Sequence, residues 1–425
     1  MVSASTCKVS RSLPQNESAA TLSASLPLPE DWNVLTADAI CQKIQDGTHF
    51  SPRLGGHDNL YITSKNIRLG RLNLSDVESI DSAQHAAIYK RCDVRPGDIL
   101  LTKDGASTGN AAINTIKEEI SLLSSVAFLR FDENEQNSAY FLQCILSHEG
   151  QAQIQELMSG NAITRLTLGK IKKLRFPVPP TKIEQDLIAQ TLSDADALID
   201  SLEALIAKKR AIKQGAVQDL LSGRKRLPGY RGEWKNLPLS KVGEVLNGLT
   251  YAPSDVRSDG ILVLRSSNIQ EEALSFKDNV FVQMNVPSKC LVDENDILIC
   301  VRNGSRELIG KTAKIDKRCR GMAFGAFMAV FRAPQYDYVL QYFRSDLMRK
   351  QIAGHLGATI NQITNKSLKS FSIAMPPTKD EADAISKILG DFDSDISELT
   401  SKLNKVRQLK QGMMQELLTG RVRLV

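Results

Sequence analysis

Apolar residues recur through residues 179–224 at Ile188, Leu192, Ala195, Ile199, Leu202 and Ile206. The alternating steps of four and three are the seam of a helix built to pair with another helix. Residues 376–421 carry a second seam at Ile385, Leu389, Phe392, Ile396, Leu399, Leu403 and Val406. The two stretches lie at a constant offset of 197 residues, and the register runs without a gap from Gly160/Gly357 to Leu227/Leu424. So long a period points to a duplicated pair of domains, since solenoid repeats are only ~20–50 residues long.

Local signals bound each helix. Both copies open on Pro-Pro-Thr-Lys, with Thr181 and Thr378 as N-caps and Glu184 and Glu381 placed as capping-box partners. Gly223 and Gly420 stand where helix-ending glycines belong. About 42 residues would span roughly 60 Å. A stripe this narrow needs a partner, and the other copy supplies one. The first helix ends at the second globular segment, so the second helix must run back, giving an antiparallel pair with the chain ends close together. The alternative is two separate coiled coils that meet other chains.

Between the helices the pattern is short strands broken by polar turns, with a helix late in each segment. Strands are expected in 60–67 and 262–269, and in the matched pair 96–105 and 294–304, where an acidic turn feeds an apolar strand that ends in a basic residue, a polar residue and a glycine. Further strands are expected at 126–130 and 326–331, and helices over 138–159 and 337–354. Trp32 and Trp234, at the first strand of each segment, read as core anchors. The predicted fold is α+β: two mostly β, mixed domains separated by two long antiparallel coiled-coil helices in a pseudo-twofold repeat. Its parts are a disordered tail (1–26), a first head (27–178), a first helix (179–226), a second head (227–375), and a second helix with a C-terminal segment (376–425).

Composition adds limits. The chain has 425 residues, 42% of them hydrophobic, and a net charge of +6. That permits a nucleic-acid partner without demanding one. No apolar run approaches the ~18 residues of a membrane span. The seven cysteines are scattered without a CxxC, as in a cytoplasmic protein with reduced thiols. The five histidines show no metal spacing. The segment from Gly304 to Thr312 resembles a phosphate-binding loop, but its glycines are one residue too far apart. No catalytic motif appears in either half.

The polar turns suit DNA, because Arg and Lys reach guanine edges or phosphates and Asn and Gln match adenine. The candidates are Lys65, Asn66, Lys103, Arg165, Arg265, Asn268, Arg302, Asn303 and Gln362. The basic runs at 208–210 and 224–226 read as helix-end chemistry. The acidic sets Asp194, Asp196, Asp200 and Asp391, Asp393, Asp395 read as exposed faces.

The PPTKIEQ helix start, the LLSGR and LLTGR helix ends, the GDILLTKDG strand-turn and the twofold repeat together resemble the DNA-specificity (S) subunit of type I restriction–modification systems. The resemblance covers nearly the whole chain after residue 26; Ala382 departs from the pattern where the first copy has Gln185. It implies a non-catalytic chain whose two heads are target-recognition domains, each reading one half of a split site on double-stranded DNA. The helices would set the spacing between half-sites. Its partners would be two methyltransferase (modification) subunits, which bind S-adenosylmethionine and methylate adenine, and restriction/translocase subunits, which use ATP and Mg. No cofactor is expected in this chain. A self-contained DNA methyltransferase or nuclease, and a coiled-coil scaffold that does not bind DNA, are the competing classes.

Overall fold

The computed structural model describes residues 28–158, 165–356 and 361–425. The expected N-terminal tail and Cys7 lie outside the described residues. The chain forms two compact units, one from residues up to Leu202 together with Lys402–Val425, the other from Glu203–Ser401. Each unit therefore takes the start of one long helix and the end of the other.

In the first unit, an antiparallel sheet runs in the order Cys41–Asp46, Val126–Phe131, Ile99–Thr102, Ala111–Ile113. The second unit repeats it with Glu244–Asn247, Met328–Arg332, Ile297–Cys300, Thr312–Lys314. The central strands are apolar throughout because both faces are covered. Ile99 and Leu101 face a core containing Phe141, Ile188 and Leu192, and Leu100 faces the other way onto Ile62 and Phe128. Ile297 and Ile299, against Leu298 and Cys300, divide in the same manner.

Four helices organise these cores: α1 (Ser138–Leu146), α2 (Lys182–Leu220), α3 (Tyr336–Arg344) and α4 (Lys379–Leu417). The helices expected over 138–159 and 337–354 are each interrupted. Ser147 and Ser345 adopt extended backbone, and new helices run His148–Met158 and Asp346–His355. Ser147 Oγ accepts the Gly150 amide at 3.0 Å, which caps the second helix and breaks the first. The strands expected over 60–67 and 262–269 stop at Ile62 and Leu264 and turn into single 3-10 turns.

The long helices α2 and α4 each have 39 residues, slightly fewer than expected. Thr181 and Thr378 accept the amides of Glu184 and Glu381 at 3.3 Å, as an N-cap should. The reciprocal half of the capping box does not form. Glu184 and Glu381 are fully buried. Glu184 is taken by Arg423, whose Nη2 donates at 2.7 Å, and Glu381 by Arg226, at 2.9 and 2.6 Å. A buried carboxylate finds a full charge a stronger partner than one backbone amide.

Within each unit the two helices run antiparallel. In the second, Lys209 pairs with Asp395 at 2.7 Å and Lys213 pairs with Asp393, so numbers rise on one helix as they fall on the other. In the first, Lys410 meets Asp196 at 2.7 Å. The seam residues Ile188, Leu192, Leu202, Ile206, Ile385, Leu389 and Leu403 are buried as expected. The acidic sets lie at the surface as expected, with Asp194, Asp200, Asp391 and Asp395 exposed and Asp196 and Asp393 half-buried. Asp196, Asp393, Asp395 and also Asp200, which meets Arg71 at 3.0 Å, in addition pair with cations inside their own unit.

Gly223 and Gly420 end the helices with φ of +70° and +69°. A Cβ on Gly223 would lie 3.2 Å from the Trp234 ring, and one on Gly420 would lie 2.6 Å from Pro29 and 3.1 Å from the Trp32 ring. Trp32 is thus a buried core anchor and Trp234 a partly buried one, each set against a helix end. In the first unit this brings the residues after Gly420 onto the start of the described chain, and Arg423 also reaches Asp31 at 3.1 Å. The second unit makes the corresponding join through the covalent segment from Arg226 to Trp234. A circular permutant opened at Gly229, with residues 425 and 28 joined by a short Gly/Ser linker, is therefore expected to fold with a melting temperature near that of the parent. Calorimetry checks it, and a permutant without a cooperative transition would contradict the antiparallel return.

Candidate nucleic-acid interface

The central strand of each sheet delivers a polar turn to the same place in its own unit. In the first, Ile99–Thr102 continues into Lys103, Asp104 and Gly105. The Lys103 carbonyl accepts the Leu166 amide at 2.9 Å, and Asp104 and Arg165 form an antiparallel bridge. In the second, the Val301 carbonyl accepts the Ile363 amide at 2.8 Å, and Arg302 and Gln362 form the bridge. The edge strand, one strand further across the sheet, ends in Asp46-Gly47 or Asn247-Gly248. Both glycines are obligatory, because a Cβ would fall 2.1 Å from the Leu122 carbonyl oxygen in one and 2.0 Å from that of Gly325 in the other.

These hydrogen bonds fix the structural equivalences. Asp46, Lys103, Asp104, Ser125 and Arg165 stand where Asn247, Val301, Arg302, Phe327 and Gln362 stand in the other unit. The sequence match of Lys103 with Arg302 is thereby corrected by one residue. The two strands are equally long and the extra residue of the second copy lies in the turn before Gly304, so Lys103 and Arg302 occupy adjacent, not equivalent, positions and point differently. Lys103 is turned inward and 2% exposed, 3.4 Å from Asp46 and 3.2 Å from Asp104. It is not available to a nucleic acid.

Asn66 and Asn268 are also corrected. Both are buried, and both fold their own turns. Asn268 Oδ1 accepts the Arg265 amide at 2.9 Å while Nδ2 donates to the carbonyls of Ser275 and Asp278 at 2.9 and 3.1 Å. Asn66 does the same with Thr63, Asn73 and Asp76. No donor is left for a base.

The remaining candidates are at the surface. Arg165 is half-exposed, with Nε 2.8 Å from Asp104. Lys65 lies 3.1 Å from Glu78 and 3.7 Å from Asp76, and the Glu78 hydrogen bond raises its pKa. Arg265 pairs with Asp278 at 2.9 Å. Asn303 donates to Ser266 Oγ at 3.0 Å and accepts the Ser305 amide at 3.0 Å, tying its loop to the turn that contains Arg265 and Asn268. Arg302 is exposed and lies 5.0 Å over the ring of Phe327. The second unit thus gathers Arg302, Asn303 and Gln362 on one loop cluster. In the first, Lys103 and Arg165 converge on Asp104, and Lys65 sits in its own ion-paired turn.

Sequence reasoning missed Asp46, Asp104, Asn247 and Phe327. The available signal was the repeated Asx-Gly pair at 46–47 and 247–248, a turn marker at matching positions. One constellation invites a catalytic interpretation and does not sustain it. His85 lies 2.9 Å from Ser121 Oγ and 3.2 Å from Glu119, but Ser121 is fully buried in its sheet, so the group is a structural clamp. Among the described residues no group of His, Cys, Asp and Glu is placed to hold a metal ion, and no helix is long and apolar enough to cross a membrane.

The family model described as "Type I restriction modification DNA specificity domain" matches twice, over residues 29–211 and 231–408. The chain is 25% identical over 418 residues to the MjaX type I restriction enzyme specificity subunit of Methanocaldococcus jannaschii, covering 93% of this chain and 95% of that one. It is 28% identical over 203 residues to the EcoKI specificity subunit of Escherichia coli, covering 44% and 42% of the two chains. In fold it is similar to the S subunit of a type I restriction–modification system from M. genitalium, with a TM-score of 0.61, 14% identity, and coverage of 92% and 98%.

Asn268→Ala is expected to cost about 2 kcal/mol of unfolding free energy, because it strands an amide and two carbonyls in a buried turn. Lys65→Ala, at an exposed pair, should stay within ~0.5 kcal/mol. Urea denaturation of the two variants separates a turn-forming asparagine from a surface cation.

Proposed function

The chain belongs to the type I restriction–modification DNA-specificity family, and on that premise we propose that it binds a bipartite site on double-stranded DNA and directs adenine methylation or restriction by partner subunits. The observation that carries this is the repeated frame with exchanged side chains. One backbone arrangement occurs in both units, with Asp46, Asp104 and Arg165 in one and Asn247, Arg302 and Gln362 in the other. Two readers of different half-sites need that combination of constant scaffold and variable edge.

On this proposal the chain performs no chemistry of its own. Two modification subunits bind S-adenosylmethionine and transfer the methyl group, and restriction/translocase subunits supply the ATP- and Mg-dependent steps. A net charge of only +6 fits a subunit that shares phosphate contacts with its partners. The purified chain with S-adenosylmethionine is expected to leave adenine unmethylated, and the complex with its modification subunit to methylate it at a split motif. Methylation by the chain alone would replace this proposal with a self-contained enzyme.

Helix length supplies the spacer. Thirty-nine residues rise roughly 58 Å, more than the ~34 Å of one duplex turn. Adding one heptad to both α2 and α4, in register, should preserve both half-sites and lengthen the unspecified spacer between them. Mapping of methylated sites measures it, and an unchanged spacer would remove the helices as the ruler.

A further inference from the structure

The five cationic side chains among the sequence candidates differ in one respect. Lys65, Lys103, Arg165 and Arg265 each lie within ion-pair distance of a carboxylate. Arg302 does not: among the described residues its recorded side-chain partner is the ring of Phe327. Phe327 is itself 57% exposed, unusual for a phenylalanine at the head of a buried strand. Its carbonyl accepts the amides of Val301 and Arg302 at 3.0 and 3.1 Å, so ring and guanidinium are held by one backbone frame.

That arrangement has a chemical consequence. A guanidinium over an aromatic face has lost part of its rotamer freedom and keeps its N–H edge free. A phosphate needs only positive charge within reach. A guanine edge needs two donors in a fixed plane, aimed at O6 and N7. An oriented, unneutralised arginine fits the second demand better. In the first unit the same backbone position is Asp104, whose oxygens are taken by Arg165 and Lys103, and Ser125 replaces the ring.

We propose that Arg302, oriented by Phe327, is a specificity-determining residue that reads a guanine in the half-site of the second unit, and that the first unit has no counterpart to this readout. The inference rests on the DNA-specificity function proposed above, and the test keeps the two apart. Full-length chain is expressed with its modification subunit in a host lacking other adenine methylation, and methylated motifs are mapped on the genomic DNA. Binding of the complex to a duplex carrying the parent motif is measured across a salt series.

For Arg302→Ala the expected result is loss of the requirement for one guanine in one half-site, with the other half-site unchanged. Affinity for the parent duplex should fall by about 5- to 150-fold, with little loss on duplexes already altered at that base. Phe327→Ala should weaken the same position, and Phe327→Tyr should restore it. An equal loss on every sequence with a shallower salt slope would make Arg302 a phosphate contact and overturn the proposal. An unchanged motif would also overturn it while leaving DNA specificity intact. A parent complex that methylates no defined motif would remove both. Both residues are exposed, so melting temperatures close to the parent are expected for these variants.

Discussion

A buried carboxylate at the start of each long helix, met by an arginine just beyond the end of the other, is the constraint on which the remaining structure depends. Glu184 and Glu381 are fully buried, and an unpaired charge there would be severely destabilising. The partner must therefore arrive, and it arrives from 155 residues away as Arg226 in one unit and 239 away as Arg423 in the other. One turn of helix and one outgoing chain are locked together. A second lock sits further along, where Asp196 binds Lys410 and Gln143, and Asp393 binds Lys213 and Gln341. Each aspartate joins three helices: its own, the antiparallel partner, and the head's α1 or α3. Direction, register and attachment of the sheet to the helices all follow from these few charges, with the apolar seam supplying most of the burial.

The sheet inherits its position from that lock. One of its faces lies on the core shared with the long helices and the other on a smaller core of strands and turns. A strand covered on both faces is held firmly along its length, so its end is a precise place from which to project a turn. Tyr140 and Tyr338 reinforce this, donating to the carbonyls of Pro177 and Ala374 at 2.9 and 2.7 Å and tying the head helices to the strands that lead into α2 and α4.

Legibility in the sequence followed the range of each interaction. The seam, the threonine caps and the terminal glycines involve residues within a turn or two of each other, and all were readable from spacing. So was the direction of pairing, because connectivity alone dictates it. Glu184 and Glu381 looked like capping-box partners because the local rule is correct as far as it reaches, and a distant arginine outbids it. The aspartate sets are at the surface as their spacing suggested, but their pairing with distant cations was not visible locally. Asn66 and Asn268 carry the residue type of a base reader, and only coordinates show that all their hydrogen-bonding capacity is spent on their own turns. The match of Lys103 to Arg302 failed because alternate strand positions face opposite ways, so an error of one residue exchanges inside for outside.

That last mismatch bears on how two unlike polar edges can share one frame. Lys103 is buried between Asp46 and Asp104, and Val301 occupies its place in the other unit, also buried. Replacing a buried, compensated ion group by an apolar side chain is close to neutral in stability when all its members change together. Here they do: with Val301 come Asn247 for Asp46 and Arg302 for Asp104. Neither carboxylate remains to be left unpaired. The exchange turns a closed charge network into a surface arginine without disturbing the backbone bonds that hold the turn. A frame whose shared hydrogen bonds are main-chain can therefore change the chemistry it displays at small cost to folding, and the displayed edge can diverge between the units while their architecture stays the same.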